Sequence, residues 1–306
     1  MTTASKTSQL KPFSYPFKAM GCPCEIRLFA RDSADAQRFA AAAIADVERL
    51  EQRYSNYRSD SLLSMINRTA TEGGRISVDE ETASLFSYAD ACYRESDGLF
   101  DVTCGILRSA WRFEQGQLPD REQIERLLGQ VGWHRLSWRP PHLEFPPGME
   151  IDFGGIVKEY AVDRVATLCW NAGLRHGIVN LGGDVRIIGP RPDGGPWRIG
   201  IQHPRRQGAV IESVALRRGS VASSGDYERC IVVDGVRYGH VLNPKTGWPV
   251  RHMASVSVVG ELCVVAGSAC TIAMLKERDG PAWLDKMGLP YYWVDVNGNC
   301  GGSLSL

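Results

Sequence analysis

The sequence predicts an α+β fold, two packed subdomains with mostly antiparallel sheets flanked by helices. Three observations carry that expectation. Helical periodicity is concentrated in the first 172 residues, short β-like runs fill most of residues 176–260, and one further helical stretch follows at 264–277. Turn signals such as Asp193-Gly194-Gly195 and Asp234-Gly235 separate the β-like runs, as antiparallel hairpins require.

The elements follow in order. The first dozen residues are polar and expected to be loose, so residues 1–17 read as a flexible N-terminal segment and 18–306 as a single domain of two lobes. Residues 21–31, GCPCEIRLFAR, alternate apolar and polar like a half-buried strand. Cys22 and Cys24 then read as alternate residues of an edge strand rather than as a metal or redox pair. From Ser33 to about Arg53 the spacing is helical, with Ser33 as its cap. A second helix runs from Asp79 to Glu95, with Ser77 or Asp79 at its start, and a short third follows Asp120. After a Trp- and Pro-rich stretch HLEF turns strand-like, and residues 155–172 form an amphipathic helix closed by Gly173. HGIVNL, DVRIIG, PWRIGIQHP, AVIESVALRRGSVASS and CIVVDGVRYGHVL are the β-like runs, ASVSVVG adds another, and YYWVDV precedes a Gly-rich tail.

Bulk properties narrow the function. Lys+Arg and Asp+Glu balance at 35 each, so no net field favours nucleic acid or an anionic membrane. The nine cysteines are odd in number and contain no CxxC pair, which argues against a disulfide framework and a structural zinc site. No stretch approaches the apolar run needed to span a bilayer, and MTTASKTSQLKPFSYPF lacks the apolar core of a secretory signal. Ala19-Met20-Gly21-Cys22 looks like a lipoprotein cleavage box with nothing insertable ahead of it. The chain as given reads as cytoplasmic.

Chemistry is concentrated in six short motifs: YSNYRSDS from Tyr54, DGLFDVT from Asp97, DFGGIVKEYAVDR from Asp152, NLGGD from Asn180, VASSGDYER from Val221 and HVLNPKTG from His240. In the third, an acid, two glycines and Lys158 lead into a helix, where backbone can approach an anion; the same pattern also makes a plain turn before a surface helix. NLGGD suits a turn with positive φ and is not the GxGxxG of a dinucleotide fold. Ser223 and Ser224 offer hydroxyls to a phosphate or ring edge; GxSxG is absent, which disfavours a serine nucleophile. His240, beside turn residues, suits a general base or a structural strand end. Gly267 and Thr271, four apart, share a helical face, where the threonine hydroxyl serves a ligand or its own preceding turn.

In order and spacing these motifs resemble those of the ApbE family, the FAD:protein FMN transferases, over roughly residues 18–275. The resemblance implies an FAD-binding α+β fold that, with Mg²⁺, moves FMN onto a Ser or Thr hydroxyl of an acceptor flavoprotein and releases AMP. It implies flavin or FAD contacts at Met20, Tyr57, Leu99, Phe100, Asp101, Asp152, Lys158 and Leu242, joined by Ser224 from its own motif, with His240 as the base. It places a metal-binding carbonyl at Gly155 and metal-binding side chains at positions 267 and 271. Thr271 is kept, whereas Gly267 stands where the family has an aspartate, which weakens the expected Mg²⁺ site. Two alternatives therefore accompany the transferase: an FAD pyrophosphatase giving FMN and AMP, and a non-catalytic FAD-binding carrier or sensor. Relatives of this family are often exported.

Overall fold

The computed structural model of the chain describes residues 10–113 and 116–304. β1 (Lys11–Ala19) and β2 (Cys22–Ala30) pair antiparallel along their whole length. Residues 11–17 are therefore not part of a loose leader. Phe13, Tyr15 and Phe17 alternate onto the core, and Pro12 and Pro16, which cannot donate to a ladder, are tolerated because β1 is the outermost strand. The rest of the expected leader, residues 1–9, lies outside the described residues. A second correction concerns β2, which is flanked by strands on both sides, so Cys22 and Cys24 do not lie on an edge.

α1 (Ser33–Tyr54) buries Ala36, Phe39, Ala40, Ala43, Val47 and Leu50 along one stripe. Its cap is Asp32 rather than Ser33, since Asp32 Oδ1 accepts from Asp35 N at 2.9 Å. α2 (Leu62–Glu72), unanticipated from sequence, starts where Ser61 Oγ accepts from Ser64 N at 2.9 Å. β3 (Gly74–Ser77) follows, and Asp79 caps α3 (Glu80–Glu95) through Thr82 N. A 3₁₀ stretch spans Val102–Ser109, and α4 (Arg121–Leu128) is capped by Asp120. β4 (Ser137–Arg139) and β5 (His142–Phe145) join β3 in a small sheet ordered β3-β5-β4.

The second half starts with α5 (Val157–Asn171), after which Gly173 turns the chain at φ +101°. Strands β6 (Gly177–Leu181), β7 (Asp184–Gly189), β8 (Trp197–Gln202), β9 (Val210–Leu216), β10 (Ser220–Gly225), β11 (Cys230–Val233), β12 (Val236–Gly239) and β13 (Met253–Gly260) come next. α6 (Cys263–Leu275), α7 (Gly280–Met287), β14 (Tyr291–Asp295) and β15 (Cys300–Gly302) complete the chain.

One eight-stranded sheet, ordered β1-β2-β6-β7-β10-β13-β14-β15, forms the spine, and its paired strands are antiparallel. Strand residues sort by period two. Val179, Leu181, Ala222, Val256 and Val258 face the main core, where α1, α5 and α6 pack, while Ile178, Val185, Ile187 and Val221 face the other way, under the β8–β9 hairpin. The α+β class with antiparallel sheets is as the sequence predicts.

Two features of the core hold α5 and its entry loop in place. Arg49 of α1 bonds both Asp46 and Glu81, and Arg164 of α5 reaches the same Asp46, so α1, α3 and α5 are held in one register. Phe153, in the loop that opens α5, is buried edge-on against Phe86 at 4.8 Å and Tyr54 at 5.8 Å between ring centroids. Replacing Phe153 by Ala should cost about 3–5 kcal/mol of folding stability, read from urea unfolding.

Candidate active site

The candidate site lies where the α5 entry, the β6–β7 turn, the end of β10 and α6 meet. The β6–β7 turn is made by Gly182 (φ +60°) and Gly183 (φ +97°), with Asn180 Oδ1 accepting from Gly183 N at 2.9 Å. A Cβ on Gly182 would lie 2.9 Å from Cys22 Sγ, so only glycine brings this turn against β2. The turn delivers Asp184, 1% exposed, to Lys158 on the first turn of α5, with Nζ 2.7 Å from Asp184 Oδ2. Asp184 Oδ1 also accepts from Ser223 N at 3.1 Å, which ties β7 to β10 beside the site.

Hydroxyls line the adjoining wall, where Ser224 Oγ and Thr271 Oγ1 are 3.0 Å apart; Ser223 Oγ and Ser257 Oγ, 2.7 Å apart, lie on the opposite face of the sheet. Glu159 follows Lys158 and points against α6: its Oε1 is 3.9 Å from Lys158 Nζ, while its Oε2 is buried without a hydrogen bond. Ser268 Oγ is buried and unbonded in the same way. Among the described residues no three His, Cys, Asp or Glu side chains converge as a preformed metal cage.

Charge is uneven here. Burial opposes the Lys158 ammonium, but the carboxylates of Asp184 and Glu159 outweigh it and hold Lys158 well above the usual lysine value. Burial pushes the Glu159 carboxyl up to about 8, with Lys158 pulling it down and Asp184 pushing it further up. His240 follows β12 with its side chain open to solvent, yet enough protein surrounds the ring to disfavour its charge. That desolvation, then the Arg229 and Lys158 cations, lowers its pKa below the ordinary imidazole value, so at neutral pH the ring is an acceptor of protons.

The ApbE family model matches residues 20–293, nearly the whole chain. The chain belongs to the ApbE family. It is 31% identical to the FAD:protein FMN transferase of Vibrio cholerae serotype O1, over 81% of this chain and 76% of that one. The Haemophilus influenzae protein of the same name is 26% identical over 96% of this chain and 89% of its own length. Among solved structures, the ApbE protein of Thermotoga maritima superposes with a TM-score of 0.89 at 34% identity, covering 96% of this chain and 97% of that one. The flavin transferase ApbE of Vibrio cholerae superposes with a TM-score of 0.86 at 27% identity, covering 97% and 98%.

Within this ApbE fold the residues singled out from sequence fall into three groups. Lys158, Ser224, Gly267 and Thr271 share the α5–β10–α6 junction. Asp152 and Gly155 shape the loop before it. Asp152 Oδ1 accepts from Gly154 N at 2.7 Å and Asn56 Nδ2 at 3.0 Å, and Oδ2 pairs with Arg108 at 3.0 Å. The Phe100 ring closes against Gly155, 3.3 Å from where a Cβ would stand. Tyr57 is 80% exposed, its hydroxyl 3.5 Å from Arg229 Nη1, and Met20 (φ +52°) donates its N–H to Glu51 Oε1 at 2.7 Å. The third group packs inside the fold. Asp101 uses both oxygens on protein, accepting from Thr103 N and Oγ1 and from Trp133 N, so it braces the 3₁₀ stretch. Leu99 packs half-buried on the main core, and Leu242 packs near Trp111 and Ile124, bridging to Pro249.

Two structural carboxylates and one functional candidate escape a reading of motifs alone. Asp226 grips Arg205 through two bonds of 2.6 and 2.8 Å and fixes the turn that carries Arg229. Asp163, one turn beyond Glu159, accepts from Cys263 N at 2.8 Å and Val264 N at 2.9 Å, and so caps α6 from α5 while also pairing with Arg186. The partners of both carboxylates are distant in sequence, and no local pattern announces them. Glu159 sits inside the DFGGIVKEYAVDR motif, but only the packing of α6 gives it a role. Asp163→Ala should leave the buried Cys263 N–H and the half-buried Val264 N–H without an acceptor and cost about 2–4 kcal/mol, measured by chemical unfolding.

Proposed function

We propose that the chain transfers the FMN part of FAD to a Ser or Thr hydroxyl of an acceptor flavoprotein and releases AMP. The observation that carries this reading is the match, over four fifths or more of the chain, to relatives named for that activity. The electrostatics of the junction agree with it. A half-buried ammonium, hydroxyl groups and a histidine held neutral suit a reaction that moves a phosphoryl group between oxygens.

In this reading Lys158 and Ser224 hold the FAD diphosphate, and Tyr57, Phe100 and Met20 border the flavin. The acceptor hydroxyl gives its proton to His240 as its oxygen bonds to the FMN-side phosphorus. The phosphorus–oxygen bond to the adenylate breaks, and AMP leaves with that bridging oxygen. Lys158 offsets the charge that develops on the departing phosphate. Thr271 and the Gly155 carbonyl would hold the family's Mg²⁺, and the unbonded buried carboxylate oxygen of Glu159 makes the junction suited to a cation although Gly267 has no side chain. When bound, that ion supplies Lewis-acid neutralisation of the diphosphate.

The direct test incubates purified protein with FAD and Mg²⁺, with and without an acceptor peptide carrying a Ser/Thr flavinylation motif, followed by mass spectrometry. An FMN–peptide adduct with stoichiometric AMP is the expected result. AMP with free FMN and no adduct would replace transfer by pyrophosphatase chemistry, and FAD bound but intact would leave a carrier or sensor.

A second expectation concerns His240. Because its pKa is lowered, the base form persists as pH falls through 6.5, and transfer should decline only below that value. His240→Gln should lower turnover by about 10²-fold or more, remove the acid limb of the pH profile, and leave FAD affinity unchanged. Stopped assays from pH 5 to 8, with FAD binding followed by fluorescence, separate the two effects.

A further inference from the structure

We infer that Glu159, reaching across from α5, supplies the metal-binding carboxylate that α6 lacks at Gly267. The inference rests on the function proposed above and assigns a residue that no motif comparison would select. A Cβ placed on Gly267 would lie 2.5 Å from Glu159 Cγ, 3.1 Å from its Cδ and 3.3 Å from its Oε1. The space an aspartate side chain would take on α6 is therefore filled by the end of the glutamate on α5. The absence of a side chain at 267 and the presence of a long acidic one at 159 are two halves of one arrangement. Glutamate's additional methylene spans the gap between the helices.

The state of that carboxylate supports a ligand role. Glu159 is 7% exposed, and its Oε2 bonds to nothing in the protein. A buried carboxyl oxygen without a donor carries a desolvation cost that packing alone does not offset. The ammonium in reach does not cancel it, because Lys158 Nζ is 2.7 Å from Asp184 and 3.9 Å from Glu159. Two carboxylates thus share one lysine beside Thr271, one turn along α6 from Gly267.

The test measures cation binding independently of turnover. Mn²⁺, visible by electron paramagnetic resonance, is titrated into the protein with FAD and no acceptor. Four proteins are compared: wild type, Glu159→Gln, Gly267→Asp, and the double exchange Glu159→Gly with Gly267→Asp. Wild type should bind Mn²⁺, and Glu159→Gln should weaken it by at least about tenfold while metal-free FAD affinity and the thermal midpoint hold or rise. Gly267→Asp alone should lower the thermal midpoint, because the new side chain meets Glu159. The double exchange removes that clash and should return Mn²⁺ affinity to the wild-type order of magnitude.

Mn²⁺ binding that is equally tight in Glu159→Gln would overturn the assignment, as would a folded double exchange that does not recover it. A merely structural carboxyl gives the first of these results. Binding that depends on Glu159 without any FMN transfer would leave the assignment standing and remove the proposed function. Transfer by a wild type whose Mn²⁺ binding ignores Glu159 would do the reverse.

Discussion

The first N–H groups of a helix have no acceptor within that helix, and the first of α6, on Cys263, is buried away from water. Asp163 of α5 resolves this by accepting from both Cys263 N and Val264 N. The contact does more than satisfy two donors. It fixes α6 against α5 in both rotation and register, since one carboxylate cannot meet two adjacent N–H groups from an arbitrary position. Asp163 and Glu159 are one turn apart on α5, so the same constraint sets the glutamate opposite Gly267. Arg186 of β7, paired with Asp163, carries the register into the sheet.

From that alignment the electrostatics of the junction follow. β7 brings Asp184 to Lys158, and β10 brings Ser224 to Thr271. Each pair joins elements far apart in sequence, with Asp184 buried and Lys158, Ser224 and Thr271 half-buried. Charges in such a place interact more strongly than in water, and an unbalanced one is costly. In the function proposed here, such a site would select ligands that complete the balance: anionic phosphate beside Lys158 and a cation beside Glu159. Apolar residues could not replace this junction without losing that selectivity.

Much of the architecture was legible in the chain, for identifiable reasons. The strand runs between residues 176 and 260 alternate and are bounded by glycine turns, and three of the helices begin at an Asp that caps them. β1 was not legible because prolines at 12 and 16 oppose a strand reading, and only its place on the sheet edge makes them harmless. α2 was missed because its buried stripe is short, with Leu63, Ile66 and Ala70 set among polar residues. Within the site, the motifs located Lys158, Ser224, Gly267 and Thr271, since each lies in a local pattern of glycines, hydroxyls or charge. Asp101 bonds Trp133 and Leu242 packs beside Trp111, contacts made only in the folded chain that no local pattern announces. The pairing of Glu159 with Gly267 spans 108 positions and depends on helix packing, so no reading along the chain reaches it.

The central claim is that this junction is where diphosphate and cation meet. A crystal structure of the protein soaked with ADP and Mn²⁺, with anomalous data collected to locate the metal, tests it most directly. The account predicts an anomalous peak coordinated by Glu159, near Thr271, with the diphosphate on Lys158. A diphosphate bound elsewhere, or a metal peak with no contact to Glu159, would contradict it.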